Sequence, residues 1–250
     1  MRDLVFVHGR AQEKKDSKAL KEEWITDWEA GLALSGLSLP LPRERIHFPY
    51  YGDTLDQLVA GKSPDEAARI VIRGAAPDAA GDLGAEEKAF IEAALLEMVA
   101  RFEADPDLAV QRELPAGRLV ERGVLNWEWV QGILKVLDRH VPGASGASVA
   151  LATRDVFQYL TNDGIRGVIE AGTAAAMPTD RETVVVSHSL GTVVAYNLLR
   201  LNGQQKGWKV PLFVTLGSPL AVTVIKQKLA GIKPIGCPRC AAAWFNAMDE

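Results

Sequence analysis

Apolar positions in this chain follow two alternating rhythms. Short runs rich in β-branched residues, at Leu4–Val7, Ile46–Phe48, Val184–Ser187 and Val210–Leu216, predict buried strands. Elsewhere apolar residues recur every three or four positions. Leu20, Trp24, Trp28 and Leu32 share one face of a helix that Ser17 can cap. Val130, Ile133, Leu134 and Leu137 do the same in a helix over 126–139, with Asn126 as its cap. Further helices are expected over 86–103, 153–171 and Leu220–Leu229, before a last apolar stretch, Ala242–Met248.

Strands alternating with helices predict an α/β fold: a mostly parallel sheet with helices on both faces. The expected strands are 4–7, 45–49, 183–187, 210–216 and 243–248. The alternation occupies residues 1–52 and 151–250. The interval 53–150 is too long for a loop and carries its own helical periodicity. Breaks at Ala75–Asp78, Pro115–Gly117 and Val141–Gly146 punctuate it. It is read as a mostly helical cap or lid insertion over the sheet's C-terminal edge.

Composition narrows the function classes. With 48% apolar and 24% charged residues in 250, a sizeable core is expected and global disorder is not. A net charge of −4 argues against a general nucleic-acid surface. The apolar run in MRDLVFVHG is too short for a signal peptide or a transmembrane segment. Two cysteines make no disulfide framework, so a cytoplasmic location is expected. Cys237-Pro238-Arg239-Cys240 has the spacing of a redox or half-zinc motif but lacks a second ligand pair, and reads as two ordinary loop cysteines. Gly61-Lys62-Ser63 lacks the first glycine and the preceding strand of a phosphate loop. Trp127 and Trp129 read as packing residues of the insertion, with an acyl-chain wall as the sharper alternative.

The candidate chemistry centres on Val186-Ser187-His188-Ser189-Leu190-Gly191. A buried strand, one serine and an immediate helix describe a nucleophile lifted on a sharp turn. Free N–H groups at the helix start would favour developing negative charge there. Gly191 supplies the small residue needed after the serine; Ser187 stands where a glycine is usual before it. Acyl transfer also needs two oxyanion donors. The expected pair is the backbone N–H of Leu190 and that of Arg10, in the His8-Gly9-Arg10 loop after the first strand. His8 is read as hydrogen-bonding within that loop, not as a titrating catalyst.

These residues, with Val5–Gly9 and Thr215-Leu216-Gly217-Ser218-Pro219-Leu220, resemble the α/β-hydrolase superfamily in its lipase- and esterase-like bacterial branch. The resemblance covers roughly 1–52 and 152–250. It implies a serine hydrolase that acts on a small-molecule or lipid ester, or a thioester, without metal or organic cofactor. Trp244–Asp249 is similar to the strand leading to the triad acid, which makes Asp249 the candidate acid. The family order is nucleophile, acid, histidine. His8, His47, His140 and His188 are the only histidines, and none follows the elbow. The expectation is a native chain that continues past Glu250 to supply the histidine. The rival reading is a catalytically silent module used for binding or regulation.

Overall fold

A computed structural model of the chain describes residues 2–9, 17–51, 84–114, 127–140, 146–229 and 234–247. They form two compact units. Of the described residues, the first holds 2–9, 17–51, 162–220, 229 and 234–247; the second holds 84–114, 127–140, 146–161 and 221–228.

The first unit is built on five strands: β1 (Asp3–Val7), β2 (Ile46–His47), β3 (Thr183–His188), β4 (Phe213–Leu216) and β5 (Trp244–Ala247). Their order is β2-β1-β3-β4-β5, and every pairing is parallel. The fold is therefore α/β, as the alternation predicts. Two of the expected strands are shorter than their apolar runs because of proline and turn chemistry. A 3₁₀ turn at Arg43–Arg45 and Pro49 confine β2 to two residues. Pro211 has no N–H for a ladder, so only isolated bridges, Glu182 with Lys209 and Val210 with Ala241, precede β4.

Helices cover the two faces by a simple rule. The β1-to-β2 connection contains α1 (Ser17–Leu34) and steps one way across the sheet. The β3-to-β4 connection contains a helix at Leu190–Leu201 and steps the other way. Right-handed crossovers in opposite directions lie on opposite faces. Leu4, Phe6 and Ile46 accordingly pack with Ile25, Trp24 and Trp28 of α1. Phe6 meets both tryptophans edge-on, at 5.4 and 5.8 Å between ring centroids. Beyond α1 on this face runs a groove of about 990 Å³, lined by apolar residues that include Val186, Val214 and Leu216. Phe245 of β5 is 65% exposed.

The second unit is helical. Its helices are α2 (Ala85–Val99), α3 (Pro106–Arg112), α4 (Trp127–His140) and α5 (Gly146–Thr161), with a short helix at Thr223–Lys228. Trp129, Ile133, Val136 and Leu137 of α4 are buried against Leu95, Val99 and Val110. The placement of Trp129 in this core matches the packing reading of that residue. The single helix expected over 153–171 is in fact two. Asn162 ends the run, and its Oδ1 accepts from the Ile165 N–H at 3.1 Å to cap α6 (Asp163–Ala175), which belongs to the first unit. The helix expected over Leu220–Leu229 is likewise split, into a 3₁₀ turn at Pro219–Ala221 and the helix at Thr223–Lys228. No helix among the described residues is long and apolar enough to cross a membrane.

One buried ion pair ties α2 to α5. Arg154 Nε donates to Glu87 Oε1 at 3.0 Å, and Gln158 Nε2 donates to the same oxygen at 2.9 Å. Both charged side chains are under a tenth exposed. Removing one partner of such a pair leaves a charge without its counterion. Glu87→Ala should therefore cost about 3 kcal/mol of stability in urea unfolding. The apolar pair Glu87→Leu with Arg154→Met should recover most of that loss.

Candidate active site

β3 ends at His188, and α7 (Leu190–Leu201) starts one residue after Ser189. Ser189 makes the whole turn, with φ 52° and ψ −126°. It is the only non-glycine among the described residues with positive φ. An L-residue in this region is strained by about 1–3 kcal/mol and persists only where its surroundings fix it. Strain of this kind concentrates at functional sites. The Ser189 side chain is half-buried, and the apolar run before it is paired on both sides.

Ser187, where a glycine is usual, sits within regular strand. It is fully buried, and its hydroxyl donates to the Val214 carbonyl at 3.0 Å. A small side chain with a satisfied hydroxyl costs nothing there. Gly191 is required by close approach. A Cβ at that position would lie 2.3 Å from the Val7 carbonyl oxygen and 2.4 Å from that of His8. The first turn of α7 thus presses against the end of β1. Gly9 is equally confined: a Cβ there would lie 2.9 Å from Ser189 Cβ. The loop after β1 therefore passes directly beside the serine.

Leu190 is the first residue of α7, so its N–H has no acceptor within the helix. Arg10, the other expected oxyanion donor, and Asp249, the expected acid, lie outside the described residues. What holds the loop in place is His8. Its Nδ1–H donates to the Gly9 carbonyl at 2.8 Å, and its Nε2 accepts from the Tyr51 N–H at 3.3 Å. These two partners fix one neutral tautomer. Its ring stacks on Tyr51 at 3.9 Å, and the Tyr51 hydroxyl donates to the His8 carbonyl. The role of Tyr51 escapes a reading of the sequence, where Pro49–Asp53 shows only as a turn.

The other histidines are engaged or displaced. His47 Nε2 lies 2.9 Å from Asp3 Oδ2, a buried carboxylate that also accepts from Arg45. In the helical unit, His140 stacks on Phe102 and lies 3.4 Å from Glu103. His188 faces the groove beside α1, edge-on to Trp24, and desolvation lowers its pKa from the ordinary value.

Serine and helix are tied to the next strand as well. The Ser189 N–H donates to the Leu216 carbonyl at 3.1 Å. Thr192 donates twice to the Ser189 carbonyl, by its N–H at 2.9 Å and its hydroxyl at 2.7 Å. Thr192 Oγ1 also lies 2.8 Å from Ser218 Oγ.

Cys237 and Cys240 are free thiols in the loop before β5. Cys240 Sγ donates to the Leu199 carbonyl, and burial pushes its pKa up, away from the thiolate that reactivity needs. Among the described residues no group of three or more histidine, cysteine or acidic side chains is placed to hold a metal ion. Comparisons with protein-family models, curated proteins and solved structures give no match to this chain.

Two outcomes follow from this geometry. Burial lowers the His8 pKa to about 4, against 6.5 in the open chain. Between those values the unfolded chain takes up a proton that the folded one refuses. His8 therefore leaves stability intact above pH 6.5 and removes about 3 kcal/mol as pH falls toward 4. Urea midpoints across that window should fall less steeply for His8→Gln than for the unaltered chain. Gly191→Ala should cost about 1–3 kcal/mol by overpacking, read in the same assay.

Proposed function

We propose that this protein is a serine hydrolase that cleaves a carboxylic ester or thioester through an acyl-enzyme on Ser189. One observation carries the reading. The sole strained non-glycine residue among those described is a serine, at the point where the central strand passes into a helix. Nothing in the packing of an ordinary strand–helix turn demands positive φ from a serine, because glycine would adopt it without cost.

The chemistry runs in two halves. Ser189 Oγ loses its proton and attacks the carbonyl carbon of the ester, forming a tetrahedral oxyanion. The N–H of Leu190 and, in this reading, that of Arg10, the residue after the Gly9 that abuts the serine, donate to the oxyanion. The tetrahedral species collapses, the C–O or C–S bond breaks, and the alcohol or thiol leaves with the proton. Water then attacks the acyl-serine by the same route and releases the carboxylic acid. In the order that the resemblance implies, Asp249 orients a histidine that shuttles the proton. His8, His47 and His140 have rings committed to other partners, which supports leaving them out of that role.

A fluorophosphonate probe on the product of the full-length gene tests the proposal. One adduct should form, mapped by mass spectrometry to Ser189. Ser189→Ala should lose it, and Cys237→Ala should keep it. Absence of any adduct from well-folded protein would favour the silent binding module instead.

A further inference from the structure

We infer that Thr192 and Ser218 are positioning residues that hold Ser189 in its strained conformation, and that β4 thereby sets the geometry of the nucleophile. The inference deepens the serine-hydrolase reading, but its physical part stands without it.

A residue with φ of 52° relaxes unless both of its peptide groups are held. Here both are held, one by the end of β4 and the other by Thr192 of α7. On one side, the Ser189 N–H is bonded to the Leu216 carbonyl, the last residue of β4. On the other, the Ser189 carbonyl accepts from the Thr192 N–H at 2.9 Å and from the Thr192 hydroxyl at 2.7 Å, and the hydroxyl is the shorter bond. A hydroxyl has one proton, and that of Thr192 is used on the carbonyl. The 2.8 Å contact with Ser218 must then be Ser218 donating to Thr192. Ser218 Oγ in turn accepts from the Leu220 N–H at 3.3 Å. The result is one directed chain: Leu220 N–H to Ser218 O–H to Thr192 O–H to the Ser189 carbonyl. Each donor polarises the next.

A threonine hydroxyl bonded to a carbonyl three residues back is common in helices and by itself says little. Two features set this one apart. Thr192 is fully buried, so no water replaces its bond if the hydroxyl is lost. Its donor Ser218 comes from a loop two residues beyond β4, not from the helix. Like a clamp, Leu216 therefore holds one peptide group of the serine directly, and Ser218 braces the other through the Thr192 hydroxyl. The Gly217 N–H donates to the Ala247 carbonyl of β5 at 3.2 Å, which anchors the clamp to the edge strand.

Two arms test this. The first is a double-mutant cycle on folding in urea, which needs no substrate. Ser189→Gly should raise the midpoint in the unaltered chain, because glycine carries no penalty at positive φ. In a Thr192→Val background the rise should shrink to less than half, since the serine carbonyl there keeps only the main-chain bond and the turn can relax. In a Thr192→Ser background, which keeps the hydroxyl, the full rise should return. Equal rises in all three backgrounds would overturn the inference.

The second arm reads chemistry on the full-length gene product. Thr192→Val should slow the maximal rate of fluorophosphonate labelling about tenfold, with the half-saturating probe concentration unchanged. Thr192→Ser should restore the rate, and Ser218→Ala should fall between the two. A threonine needed only for stability would leave the maximal rate per folded molecule untouched, which would also overturn the inference. If the unaltered protein is not labelled at all, the serine-hydrolase reading fails, and the folding cycle alone decides the clamp.

Discussion

Five consecutive residue pairs, Asp3 with Thr183 through Val7 with Ser187, join two stretches of chain that are 180 positions apart. The rest of the first unit is arranged around that parallel ladder. Its register decides that the loop after β1 and the turn after β3 emerge side by side. A slip of one residue would turn the faces of β1 over and carry Gly9 away from Ser189. It would also separate Gly191 from the Val7 and His8 carbonyls, on which α7 closes. The ladder's hydrogen bonds are individually worth about 1 kcal/mol. Together they bring two loops into contact that local sequence could not.

The direction of each crossover then divides the labour between the faces. α1, between β1 and β2, takes one face, and the helix after Ser189 takes the other. The second arrangement is what makes the turn useful. A helix that starts at the C-terminal end of a central strand points its free N–H groups at whatever occupies that edge. The first arrangement leaves Val186, Val214 and Leu216 lining an open groove beside α1.

Much of this was legible along the chain, for identifiable reasons. Runs of β-branched residues announced β1, β3 and β4, and the tryptophan spacing announced α1. Prolines shortened what the apolar runs suggested, because a missing N–H ends a ladder where hydrophobicity continues. The break at Asn162 was missed because periodicity passes through it; only the side chain's bond to Ile165 reveals it. The short α3 was missed for the opposite reason, being too brief for periodicity. Asp105 followed by Pro106 was its only signal, a cap and a favoured first residue. At the site, Ser189 could be found because strand, serine and helix adjoin in sequence. The partners that fix it could not. Tyr51 lies 43 positions from His8, and Ser218 lies 26 from Thr192. Such contacts are products of sheet register, and no local pattern encodes them.

The two halves of the grip on Ser189 differ in what kind of atom does the holding. Leu216 contributes a main-chain carbonyl, which every amino acid possesses. Any residue that preserves β4 would serve, so this half is almost immune to substitution. Thr192 adds to its main-chain N–H a side-chain hydroxyl, which only serine or threonine can supply at that reach. Drift in the sequence can therefore erode the turn through position 192 long before it does so through position 216. In a lineage no longer held to this turn, a change at 192 would be among the first marks left behind.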